Sequence, residues 1–205
     1  MSSRLDVLKS VLFRAARAGK DRIEDVGSLK ELRKVFGDLR QRRMAIPESH
    51  VGAAVSEAPL VRASTVGLRR GRAVVDVGFQ DGSVAVFAVI PQEVRFAPRG
   101  AKEVLFSVEP PEAVEDSRVR DIVGHVAAAL ARGVWGPMLG PPRPGEAALI
   151  EREGARLRAD LRTVPSVRGA LEGSPLSMAL DVLTIERIEI EDRAMKVTVG
   201  LPAMR

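Results

Sequence analysis

The stretch "ALDVLTIERIEIEDRAMKVTVGLP" at residues 179–202 holds three apolar sets whose parity switches. Leu183 and Ile185 sit on odd positions, Ile188 and Ile190 on even ones, and Met195, Val197 and Val199 on odd ones again. Successive side chains of a strand point to opposite faces, so each set marks one buried face. The slip between Ile185 and Ile188 predicts a β-bulge, which bends a strand and suits a curved sheet. Glu191-Asp192-Arg193 supplies the turn, so 182–200 reads as a bent terminal hairpin with these side chains on its inner face. The question is what that face covers.

Upstream, "TVPSVRGALEG" predicts a short helix from Pro165 to Gly173, and "ALIERE" and "ARLRADL" predict two strands joined at Glu153-Gly154. "GPMLGPPRPGE" at 136–146 is a proline-rich loop or hinge. Before it, "EDSRVRDIVGHVAAALARGVW" at 115–135 is the one long helix of the second half. Val119, Ile122, Val123, Val126, Leu130 and Val134 form a large apolar face. Gly124, Ala127, Ala128 and Ala131 form a second face of small residues, where another backbone can approach closely. Arg118, Asp121, His125 and Arg132 leave only a narrow polar stripe. A helix apolar or small around most of its circumference is enclosed.

From about residue 60 the texture is β. "LVRASTVGL" and "RAVVDVGF" flank a turn at Arg70-Gly71, and Asp81-Gly82 marks a hairpin. "SVAVFAVI" is apolar on both faces and so is expected to be covered on both. "QEVRFA" and "KEVLFSVE" follow as further strands, separated by Pro98 and Gly100. Residues 3 to about 45 read as helical, with Leu5, Leu8, Val11, Leu12 and Ala15 at helical spacing. Gly27-Ser28 interrupts that pattern, Ser28 and Glu31 form a capping box for a second helix to Leu39, and Pro47 ends the segment. Two units are expected: a basic amphipathic helical segment at 1–46, and an α+β domain at 50–205.

The 205 residues suffice for one domain with an extension or for two small ones. Aromatic residues make up 3%, with Trp135 the single tryptophan, so the core rests on Val, Leu, Ile and Ala. The absence of cysteine excludes a disulfide framework, a thiolate metal site and a cysteine nucleophile. The net charge is +5, and only six of the 32 basic residues are lysine, an arginine skew that GC-rich coding explains. Residues 1–43 carry twelve basic and six acidic side chains, a net of +6 that leaves −1 for the rest. The basicity belongs to the N-terminal segment.

No apolar run exceeds Val84 to Ile90, well short of the roughly 20 residues a spanning helix needs. Asp6, Lys9, Arg14 and Arg17 interrupt any secretory h-region, and Asp6, Glu24 and Asp25 argue against a transit peptide. A cytoplasmic location is expected, with membrane association left open.

Signals for chemistry are sparse. Gly19-Lys20 lacks the rest of a phosphate-binding loop, and no G-x-G-x-x-G opens a helix after a strand. His50 and His125 lie in separate segments without metal-ligand spacing. His125 with Asp121 reads as a surface i,i+4 pair, not a catalytic base. Asp81 is a turn residue and Asp76 points out of a strand. The basic first segment lacks interleaved aromatics and mixes in Asp21, Glu24, Asp25, Glu31 and Asp38, which argues against nucleic acid. An anionic membrane surface or an acidic protein partner would suit residues 1–45 better.

The order "PLVRASTVGLRRGRAVVDVGFQDGSVAVFAVIPQEVRFAP", long helix, "EREGARLRADLRTVPSVRGALEG", "LTIERIEIEDRAMKVTVGL" resembles the tubular lipid-binding (TULIP) superfamily, nearest its bacterial LmeA-like members. The likeness covers roughly three quarters of the chain, and its closest match is the C-terminal passage. It implies an α+β fold in which a curved antiparallel sheet wraps a long central helix, here with an added N-terminal helical segment. It also implies non-enzymatic binding of lipid or acyl chains in an apolar groove between sheet and helix. The groove candidates are Val119, Ile122, Val123, Val126 and Leu130 on the helix, with Phe87, Val89, Phe106 and Val197 on the sheet. Trp135 and Met138 would sit near an opening beside the proline-rich loop. No catalytic residue, metal or cofactor is implied. The competing expectation is a cytoplasmic interaction or scaffold module with a solid core, docking through its basic N-terminal helices.

Overall fold

The terminal hairpin forms with the bend its rhythm predicts. The computed structural model describes residues 43–97, 100–139, 142–173 and 184–200. Within them two C-terminal strands, Thr184–Glu191 and Ala194–Gly200, pair antiparallel, and their register shifts between Ile185 and Arg187. The bulge lets Ile185, Ile188 and Ile190 all bury despite their change of parity, together with Met195, Val197 and Val199. Leu183 lies outside the described residues.

The hairpin has a third strand that the sequence reading missed. Residues Arg43–Pro47 were expected to end a helix, but they form a strand, β1, with strictly alternating burial. β1 pairs with the last strand, setting Met44 opposite Val197 and Ile46 opposite Met195. Pro47 then stands at the N-cap of a helix α1, Glu48–Ser56, instead of closing a separate segment. Its extended backbone and missing N–H suit that entry position. The Glu48 N–H donates to the Arg193 carbonyl, and its carboxylate accepts from the Leu68 N–H. A boundary between 46 and 50 therefore cuts through bonded structure, and the β domain reaches back at least to Arg43. The helices expected before residue 43, including the Ser28–Glu31 capping box, lie outside the described residues.

The remaining strands are β2 Val61–Arg69, β3 Arg72–Phe79, β4 Val84–Phe96, β5 Lys102–Glu109, β6 Leu149–Glu153 and β7 Arg156–Asp160; the C-terminal pair is β8 and β9. They form an antiparallel six-stranded sheet, β2-β3-β4-β5-β7-β6, beside the three-stranded β1-β9-β8. With three α-helices among the described residues, this is an α+β fold. Helix α2, Ser117–Leu139, runs four residues past its expected end, and α3, Pro165–Gly173, has its expected bounds. No helix among the described residues is long and apolar enough to cross a membrane.

Two expectations about β4 need correction. "SVAVFAVI" and "QEVRFA" are one strand, which passes through Pro91 at a bulge between Pro91 and Glu93. A bulge tolerates proline because the ladder is already interrupted there. The strand is also not covered on both sides throughout, since Val84 and Val86 are 66% and 59% exposed. Two-sided burial holds only for Phe87, Ala88 and Val89.

The two sheets are tied at one corner by their turns. Arg70 and Gly71 both have positive φ, the geometry of a primed two-residue hairpin turn. The Gly71 N–H donates to the Ile190 carbonyl and the Arg193 N–H to the Leu68 carbonyl, each at 2.9 Å. Backbone bonds thus run between the β2–β3 and β8–β9 turns, so the sheets share a fixed corner.

Candidate functional site

Ten of the eleven groove candidates fall in one continuous hydrophobic cluster: Phe87, Val89, Phe106, Val119, Ile122, Val123, Val126, Leu130, Trp135 and Val197. Each is 2% exposed or less, so all ten are packed into the protein interior. Burying a Val, Leu or Phe side chain contributes about 1.5–3 kcal/mol, so this cluster is a main source of stability. Trp135, placed near an opening by the sequence reading, is buried, with its ring 5.9 Å from that of Phe96. Met138 falls on the last turn of α2, and its side chain lies outside the described residues.

The small-residue face of α2 does what such a face permits. The Ala148 N–H donates to the Gly124 carbonyl at 3.0 Å, so the chain after the proline-rich loop crosses the helix in backbone contact. A Cβ on Gly124 would lie 2.6 Å from the Ala148 oxygen. On another turn, a Cβ on Gly133 would overlap the Ile46 side chain of β1. Glycine at both places sets how closely neighbouring segments approach the helix.

At the first crossing lies a buried polar cluster that the sequence reading did not assemble. His125, read as part of a surface pair, is 1% exposed. His125 lies beside the backbone of Glu146, and its Nδ1 and the Glu146 Oε1 are both buried without a partner. The Glu146 carboxylate accepts from Arg132 at 3.1 Å and from the Ser166 hydroxyl at 3.0 Å. Helix α2 thus supplies His125 and Arg132, the crossing segment Glu146, and α3 Ser166. Burial lowers the His125 pKa, opposed by the charges of Asp121 and Glu57 and by the Glu146 backbone. The His50 pKa on α1 is also lowered, first by burial and then by Arg132. The legible signal was a lone glutamate at the end of a Pro/Gly-rich loop, opposite a helix face of glycine and alanine.

Chemically this cluster is closed. The imidazole of His125 is 1% exposed, so it is shielded from solvent in this arrangement. Among the described residues no group of three or more His, Asp or Glu side chains could hold a metal ion. Asp81 is held as a turn residue: its carboxylate accepts from the Ser83 N–H at 2.9 Å and from Arg118 at 3.0 Å. Asp76 stands exposed on β3, opposite Val86.

The surface of the β4–β5–β7–β6 region is a ladder of ion pairs. Arg95 bridges Glu93 and Glu153, Arg156 joins Glu93, and Arg158 links Glu103 and Glu151. A shallow depression of about 40 Å³ lies among Glu103, Leu149, Glu151, Arg158 and Asp160. That is far below the roughly 300–1,000 Å³ of a small-molecule pocket. No protein-family model, curated protein or solved structure matches the chain.

Proposed function

We propose that this chain is a non-enzymatic interaction module: a solid α+β core that carries a basic N-terminal segment to an acidic protein partner. The observation that supports this reading is the burial of the ten described groove candidates, each 2% exposed or less. The +6 charge of residues 1–43, against −1 for the rest, supplies the chemistry of the partner. In this reading the six-stranded sheet curves around α2, a proposal supported by the bulge in β4 and by the burial of both the apolar and the small faces of the helix.

The likeness in element order to TULIP proteins makes a lipid the competing occupant. Native mass spectrometry of protein purified from cells separates the two readings. The bare polypeptide mass, with salt-sensitive binding to an acidic partner that neutralising substitutions in 1–43 abolish, is the expected result. A co-purifying lipid adduct would overturn the solid-core reading in favour of an acyl-chain binder that opens to admit its ligand.

A further inference from the structure

We infer that the corner where the β2–β3 and β8–β9 turns meet is a docking surface for an acidic polypeptide segment, contacted by Arg69, Arg70 and Arg193. It shares with the preceding reading only the sign of the partner's charge, since its residues lie on the folded domain, outside 1–43. Four arginines stand exposed there: Arg69, Arg70 and Arg72 at one turn and Arg193 at the other. Two backbone bonds hold the turns together, from the Gly71 N–H to the Ile190 carbonyl and from the Arg193 N–H to the Leu68 carbonyl. The Arg193 carbonyl also accepts from the Glu48 N–H. The arginines are thus presented on a fixed backbone, which lowers the ordering cost of binding.

Two features of this corner run against stability. Arg70 and Arg193, at φ 49° and 64°, are the only non-glycine residues at positive φ among those described. Other hairpin turns place glycine in that conformation, Gly82 between β3 and β4 and Gly154 between β6 and β7. A β-carbon disfavours it, so arginine stands where glycine would fit more easily. Backbone outliers of this kind cluster at functional sites. Arg69 and Arg72 also face each other directly across β2 and β3, a like-charge pair that weakens a sheet. Arg72 is relieved by Glu109, whose carboxylate it holds at 2.6 Å. Among the described residues, the side chains of Arg69, Arg70 and Arg193 have no partner.

The carboxylates nearby do not cancel them. Glu109 is taken by Arg72 and Glu191 by Lys196, and Glu48 accepts from the Leu68 N–H. That leaves Asp192 against three guanidiniums. A planar guanidinium matches a carboxylate, and Arg72 already makes such a pair with Glu109. The two turns carry no aromatic side chain on which a base could stack. The exposed large apolar side chains, Leu60, Val84, Val86 and Leu149, belong to other segments, so none is at hand to enter a bilayer. The corner therefore suits an acidic peptide better than nucleic acid or a lipid surface.

The test is fluorescence anisotropy of a labelled polyglutamate peptide with the full chain at low ionic strength. Arg70→Gly combined with Arg193→Gly removes both charges at positions that suit glycine. This double variant should bind roughly threefold to tenfold more weakly, as the loss of two exposed charge pairs implies, yet melt no lower than the wild type. Arg162→Gln, which removes an exposed charge on the turn after β7, should bind as the wild type does. Unchanged binding in the double variant overturns the proposal, as does an equal loss in Arg162→Gln or a lowered melting temperature. Should the double variant not fold, Arg69→Gln, which relieves the like-charge pair, is judged in the same way. Phosphatidylserine vesicles or duplex DNA that compete better than unlabelled polyglutamate would overturn the choice of an acidic peptide. Neutralising substitutions in 1–43 separate this inference from the preceding reading. If they alone weaken binding, the corner falls and that reading stands; if the corner substitutions alone do so, the reverse holds. A wild type that does not bind polyglutamate overturns both.

Discussion

At the scale of single residues, the decisive positions are those where a side chain would be too much. Alanine ordinarily improves a helix over glycine by about 1 kcal/mol. At Gly133 the sign should reverse, because the new Cβ meets Ile46. Gly133→Ala should lower the melting temperature, with a net cost of about 1–3 kcal/mol. In an Ile46→Ala background the same change should cost much less, since the overlapping atoms are gone. Equal cost in both backgrounds would refute the contact. Val126 offers the opposite test, as a wholly buried aliphatic residue. Val126→Asp places an unpaired charge in the core and should cost several kcal/mol, enough to prevent soluble folding. A soluble Val126→Asp protein melting near wild type would contradict the enclosed helix.

At the scale of elements, β1 is the piece whose place most changes the organisation. It forms one edge of the three-stranded sheet and buries Met44 and Ile46. A chain beginning at residue 43 should keep the fold, whereas one beginning at residue 48 should lose much of its thermal stability. Circular dichroism melts of the two truncations measure this, and indistinguishable melting curves would show that β1 contributes nothing. The strand was hard to read because only two buried residues mark it, directly after a charged run that continues a helical rhythm. β4 was misread for a related reason: Pro91 looked like a break, and only its cross-strand partners reveal a bulge. The terminal hairpin was legible down to its bulge because six apolar residues in two strands gave a clear period of two. The polar cluster was not, since it joins residues 125, 132, 146 and 166 through tertiary contacts with no local spacing. Sequence alone pairs His125 with Asp121 and sends it to the surface.

At the scale of the whole molecule, the question is whether the core is solid, and one substitution on β9 addresses it. Val197 lies on the central strand of the three-stranded sheet, opposite both Met44 and Ile188. In a filled core Val197→Trp overpacks and should destabilise by about 1–3 kcal/mol. A fluorescent fatty acid should then bind neither protein. Wild-type uptake of the probe, lost in a Val197→Trp protein of unchanged melting temperature, would instead reveal a cavity that opens for lipid. The pairing of β1 with β9 has a further consequence for how the chain is made. Arg43 leaves the ribosome about 155 residues before its partner Thr198. At roughly 5–20 residues per second, Met44 and Ile46 wait on the order of ten to thirty seconds for the strand that covers them. Until residues 194–200 emerge, the nascent chain can assemble its six-stranded sheet but cannot close the smaller one. An arrested chain lacking β9 should therefore remain open to proteolysis around β1, and release of the full chain should end that exposure.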